Sequence, residues 1–273
     1  MESSIIGKPV VSGRFYPSLP QEIKNQIESF LGPKEEKIDA LGCLLPHAGY
    51  IYSGKVAVRT LAKIKIRNNI ILLGPNHTGY GPDYSIMTEG VWQTHLGEVK
   101  INSILAKKII EPSAYLEEDS LAHNSEHSLE VELPILQYFK KDFEIVPIVF
   151  KSENFAELVK IGEEIGLAIQ DLQLKDQVLL ISSSDMTHYE EEAQARKKDQ
   201  KAIGAILKLD QDKLREEVTG FNISMCGYAP TVVMLGAAKK LGAKKAQLVS
   251  YQTSADTTGD KSSVVGYAGL IIN

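Results

Sequence analysis

Six short runs rich in Ile, Leu and Val, at 41–45, 69–73, 143–150, 177–182, 246–252 and 264–271, constrain this chain more tightly than any other feature. Apolar runs of this length suit strands buried on both faces of a sheet. Helical spacing alternates with them at 54–65, 102–110, 154–170, 190–208 and 229–241. Strands that alternate with helices build an α/β fold, so the expectation is a mixed or parallel central sheet flanked by helices. Gly242 follows the last of these helices as a stop, and Lys239 and Lys240 complement its dipole. No Pro/Gly/Ser linker and no repeat at a fixed period divides the chain, which reads as one domain over 1–273.

Composition excludes several functions. The chain is 273 residues long, 43% hydrophobic and 24% charged, as expected of an ordinary globular protein. Its formal net charge of −5, without a basic tail or stripe, argues against nucleic-acid binding. No apolar stretch approaches the roughly 20 residues that span a bilayer, and the first residues lack a secretory pattern. Two cysteines in so long a chain fit a reducing compartment, so the expected location is cytoplasmic. Cys43, inside Leu41-Gly42-Cys43-Leu44-Leu45, reads as a small buried hydrophobe.

The chemistry-bearing residues gather where strands give way to loops. His47 stands in Pro46-His47-Ala48-Gly49-Tyr50 and His77 in Gly74-Pro75-Asn76-His77-Thr78-Gly79. Both follow apolar runs, and ligand sites of open α/β sheets form at the carboxyl ends of strands. No Gly-Lys-Ser/Thr follows His77, so its loop is not a phosphate loop. Ser184-Asp185-Met186-Thr187-His188 ends a third strand. Asp185 and His188 can act there as ligand and partner or as a proton relay, or Asp185 and Thr187 can simply cap the next helix. Cys226 precedes a helix expected to begin near Pro230, whose dipole favours a thiolate. Imidazole and thiolate suit iron, copper and zinc. The serine run 182–184 lacks the Gly-x-Ser-x-Gly elbow of a serine hydrolase.

A fourth cluster, His123-Asn124-Ser125-Glu126-His127-Ser128-Leu129-Glu130, contains H-x-x-E-H, a zinc-protease pattern. That reading needs His123 and His127 on one regular helix. Asn124 and Ser125 resemble a helix entrance instead, which leaves His123 outside it. His127 and Glu130 then read as acid/base groups behind the ligands, or as plain surface residues. His95 has no comparable partner and is read as no ligand.

These segments, with Gly13-Arg14-Phe15-Tyr16-Pro17, Cys226-Gly227 and Ser250-Tyr251, give the chain an end-to-end resemblance to the Memo family. That family takes its name from a mediator of receptor-driven cell motility. Its bacterial and archaeal members are protein B of the AmmeMemoRadiSam system. One departure is Thr94-His95-Leu96-Gly97, where a Pro before Leu-Gly is expected. The resemblance implies the fold of class III extradiol dioxygenases, non-haem iron enzymes that open catechol rings. It also implies that His47 and His77 are metal ligands, that Cys226 takes the place of a carboxylate ligand, and that His188 is the acid/base residue with Asp185 beside it.

The expectation is thus a mononuclear metal protein holding Fe(2+), with copper or zinc as alternatives, and acting as a redox enzyme on a small organic substrate. The alternatives are a non-catalytic module binding a peptide or small molecule in the same pocket, and a zinc hydrolase using His123 and His127. Bacterial relatives tend to accompany an AMMECR1-like protein and a radical-SAM protein, which implies a shared pathway.

Overall fold

The computed structural model describes residues 5–273. In chain order its elements are β1 (Ile5–Gly7), α1 (Pro20–Phe30), β2 (Gly42–Leu45), α2 (Tyr50–Ala62), β3 (Asn69–Pro75), β4 (Tyr84–Ile86), β5 (Val91–Thr94) and β6 (Gly97–Ile101). There follow α3 (Ser103–Ile110), β7 (Glu117–Glu118), α4 (Glu132–Phe139), β8 (Glu144–Phe150), α5 (Phe155–Asp171), β9 (Val178–Ser183), β10 (His188–Glu190) and α6 (Glu192–Leu207). The chain closes with α7 (Gln211–Gly220), α8 (Tyr228–Lys240), β11 (Ala246–Thr253), α9 (Ala255–Thr258) and β12 (Val264–Ile272).

The strands join in one mixed sheet whose main path runs β1-β5-β6-β8-β3-β9-β2-β12-β10. Its centre, β6-β8-β3-β9-β2, is parallel. Strands β2, β3 and β9 are buried along their whole length, which explains their unbroken apolar sequence. Strand β12 pairs antiparallel with β2, and β11 with β12. Helices α5 and α8 form one packed pair, with α8 against β3 and β9, whereas α2 packs on β2, β11 and β12. A side chain at Gly162 would strike the Val233 carbonyl, so glycine is what lets α5 approach α8. Among the described residues no helix is long and apolar enough to cross a membrane.

The six expected strands all form, with ends displaced by a residue or two. Helix α2 begins earlier than expected, at Tyr50, directly behind the His47 turn. Gly242 sits just past α8 with φ +93°, as a helix stop requires. The alternative in which Asp185 and Thr187 cap the helix after β10 is not what forms. Helix α6 is preceded by Glu191 without a side-chain cap, and Asp185 turns inward to a backbone amide instead. The expected helix entrance at Asn124–Ser125 is absent as well: 121–131 is a series of turns, and α4 starts only at Glu132.

Candidate metal centre

Three adjacent parallel strands deliver the site. Leu45 of β2 lies beside Ser183 of β9, and Leu73 of β3 beside Ser182. Two residues beyond each strand end stand His47, Asp185 and His77, so one sheet edge presents all three. The register is locked there: Ser184 N–H donates to Leu45 O at 2.8 Å, and His47 N–H donates to Asp185 Oδ1 at 2.9 Å. The His77 loop is shaped by Asn76, whose Oδ1 accepts the amides of Thr78 and Gly79, the latter with φ +72°.

Cys226 arrives from the turn before α8. Gly227 donates its N–H to Ser184 Oγ at 3.0 Å, and any side chain at that position would overlap Ser183 and Ser184. That close approach brings the thiol to the strand ends. Its Sγ lies 3.3 Å from His47 Nε2 and accepts the Asp185 amide at 3.3 Å. His188 is held by the same turn, its N–H donating to Ser224 Oγ and its Nδ1–H to Ser224 O, each at 2.8 Å. Below it the fully buried Asp199 accepts Thr187 N–H at 2.9 Å and Tyr251 O–H at 2.7 Å.

One ligating atom each from His47, His77 and Cys226 fall within 4.8 Å of one another. His47 is 2% exposed, Cys226 half-buried and His77 exposed, so the cluster opens to solvent on the His77 side. The histidine tautomers follow from their partners. His47 Nδ1–H donates to Ser183 Oγ at 2.8 Å, and the Ser183 O–H donates in turn to Ser128 O at 2.7 Å, which leaves His47 Nε2 with a lone pair facing the cluster. His77 Nδ1–H donates to Glu126 Oε1 at 2.9 Å, again freeing Nε2.

A second group, His77, Glu126 and His127, also satisfies the 4.8 Å spacing. Glu126 Oε1, however, already accepts the His77 ring and the amides of His127 and Ser128 at 2.9 and 2.8 Å. That saturation makes Glu126 the orienting partner of His77, and the first set the better ligand cage. The ring of His127 stacks on His77 with centroids 4.6 Å apart.

Electrostatics fits a neutral cage. Burial, then the nearby His77, His127 and His188, push His47 well below the usual imidazole range. Burial and the neighbouring Asp185 raise the Cys226 thiol far above its ordinary value. Without metal, therefore, a neutral thiol faces a neutral imidazole, contrary to the thiolate expected from the α8 dipole. Burial lifts Asp185 to about 6, against the opposing pull of His188 and the amides of His47 and Ala48. Burial alone would also raise Glu126, but its bonds to His77 and Ser128 bring it down to about 2.

Two expected roles find other positions. Glu130 does not touch the cluster: its carboxylate accepts Tyr16 O–H at 2.6 Å and the amides of Val10 and Val11, fastening the N-terminal segment. Asp185 makes no hydrogen bond to His188 and instead braces His47. His123 belongs to neither ligating group, and both its ring nitrogens are buried beside Trp92 without a hydrogen-bond partner among the described residues. His95 is exposed at the β5–β6 hairpin. Sequence reasoning missed Glu126 and Ser183 as orienting groups. The only available signal for Glu126 was its place in the H-x-x-E-H run.

A family model described as Memo-like protein matches residues 8–271. A MEMO1 family protein of Methanocaldococcus jannaschii is 40% identical over 283 residues, covering 97% of this chain and 98% of its own. Another from Aquifex aeolicus is 42% identical over 269 residues, with 97% and 98% coverage. Among solved structures, that of an uncharacterized protein from Escherichia coli K12 matches with a TM-score of 0.56. It is 14% identical and covers 84% of this chain and 98% of its own, a likeness of fold alone.

Proposed function

The chain belongs to the Memo family, and from that premise and the geometry of its strand ends we propose that it is a mononuclear metal protein, a redox enzyme acting on a small organic substrate. The observation that carries this reading is the convergence of His47, His77 and Cys226 within 4.8 Å, with Nε2 of both histidines left free by their Nδ1 partners. Two imidazoles and one thiolate fit a soft or borderline transition metal, so the donor set suits Fe(2+), with copper and zinc as alternatives. When bound, such an ion supplies an open coordination position and, if it is iron or copper, one-electron chemistry.

The chain's own residues supply the rest. Ser183 and Glu126 hold the two rings in the tautomers that ligation needs. Cys226 would ligate as a thiolate and release its proton to solvent, because His47 Nε2, 3.3 Å away, is itself a ligating atom. His188 keeps Nδ1–H on Ser224 O, which leaves its Nε2 to take a proton from a substrate hydroxyl and return it. Asp185 braces the His47 backbone and sets the local field in which His188 works.

The test is metal content by mass spectrometry on protein purified anaerobically from iron-supplemented cells, beside Cys226→Ser and His77→Ala. Near one metal per chain, lost in both variants, supports the cage; metal unaffected by either change overturns it. Oxygen uptake by the loaded protein with catechol-type compounds then separates an enzyme from a module that only binds.

A further inference from the structure

We infer that the chain carries a second ligand site, separate from the histidine cluster, that takes an organic anion with an apolar body. A cavity of about 550 Å³ opens at the C-terminal end of α2. Helix α2 starts beside His47 and runs 13 residues, so roughly 20 Å separates this cavity from the metal cage. Its volume lies within the range of small-molecule pockets.

The walls are apolar: Leu31, Pro33, Ala62, Phe139 and Val249 line it. Around them stand Lys34, Lys37, Arg59 and Lys63, against a single carboxylate, Glu35. Lys63 is already committed to Glu35 at 2.7 Å. The other three cations are not. Arg59 spends only its Nε, on the Phe30 carbonyl at 3.3 Å, and neither Lys34 nor Lys37 has an ion-pair partner among the described residues. Lys37 Nζ rests 5.8 Å from the centre of the Phe139 ring. In a chain of net charge −5, three cations over an apolar hollow with no ion-pair partner among the described residues are a local inversion of the overall field.

The two halves of the lining select the ligand together. A small inorganic anion would leave the apolar walls wet, and a neutral apolar molecule would bury cations without a partner. An alkyl or aryl acid satisfies both: its head meets the Arg59 fork and the lysines, while its body covers Leu31, Phe139 and Val249.

The probe is 8-anilinonaphthalene-1-sulfonate, an aryl anion whose fluorescence rises on apolar contact, displaced by decanoate and, as neutral control, by decanol. The wild-type chain should show saturable binding at one site, with decanoate displacing the probe at concentrations more than about tenfold below those decanol needs. Arg59→Glu and the exposed-loop double variant Lys34→Glu/Lys37→Glu should each weaken binding by about tenfold or more. Ala62→Trp should abolish it by filling the hollow. His77→Ala should leave it unchanged. The inference is overturned by absent or unsaturable binding, by equal displacement by decanol, by indifference to both charge reversals, or by loss in His77→Ala.

Discussion

The Nε2 of His47 lies 3.3 Å from the sulfur of Cys226, although 179 residues separate the two in the chain. The pair is neutral because burial holds the imidazole below and the thiol above their ordinary ranges. Metal binding must therefore displace the thiol proton.

That coupling sets a pH dependence. A thiol whose pKa lies far above neutrality releases about one proton per metal bound, so affinity should rise about tenfold per pH unit between pH 6 and 8. His47 adds nothing to the slope there, since it is already neutral. Competition titration with a chromophoric chelator at several pH values measures the slope. A flat profile would mean the sulfur is not a ligand.

Ser183 and Ser182 form an internal control, because neighbouring strand residues point to opposite faces. Ser183 orients His47, whereas Ser182 bonds Thr231 Oγ1 at 2.9 Å. Ser183→Ala should lower metal affinity by about 10- to 100-fold, and Ser182→Ala should change it less than twofold, by the rule for groups that orient ligands. Equal effects of the two would remove the tautomer argument.

Gly266 sits against Asp199, the carboxylate that holds the Thr187 amide just before His188. A methyl there would overlap the Asp199 carboxylate. Gly266→Ala should cost about 1–3 kcal/mol of stability through overpacking. It should also displace His188, visible as a shifted imidazole resonance in NMR. An unshifted His188 would show that Asp199 does not position it.

His123 is one source of acid sensitivity, beside the buried His47 and His127. Burial lowers its pKa from 6.5 to about 4, so between those values the unfolded chain binds more protons than the folded one. Stability is full above pH 6.5 and declines as the pH falls toward 4, by about 3 kcal/mol from this residue. In His123→Phe, urea denaturation at pH 7 and pH 4.5 should show that part of the loss removed. An unchanged difference would place the acid sensitivity elsewhere.

Much of the architecture is written locally. Leu41–Leu45, Asn69–Leu73 and Gln177–Ser182 are apolar on both faces, and only a covered parallel sheet accommodates such strands. The loops carrying His47, His77 and Asp185 follow them directly, so their gathering at one edge follows from strand polarity alone. The start of helix α4 was not legible: its eight residues carry Pro134, and its first residue, Glu132, is wholly buried. Strands β4 to β7 are too short to show a period.

What the sequence determined by itself is the kind of fold, its buried strands, and the donor types at their ends, since periodicity and residue chemistry are local properties. Only the tertiary structure decided which groups meet. It turned Glu126 rather than Glu130 toward His77, and hydrogen-bonded Asp185 to the His47 amide while leaving it within electrostatic reach of His188. It also left the Cys226 thiol protonated despite a helix start nearby. Side-chain direction in an irregular turn and the desolvation of a thiol depend on packing between distant segments, which no local pattern records.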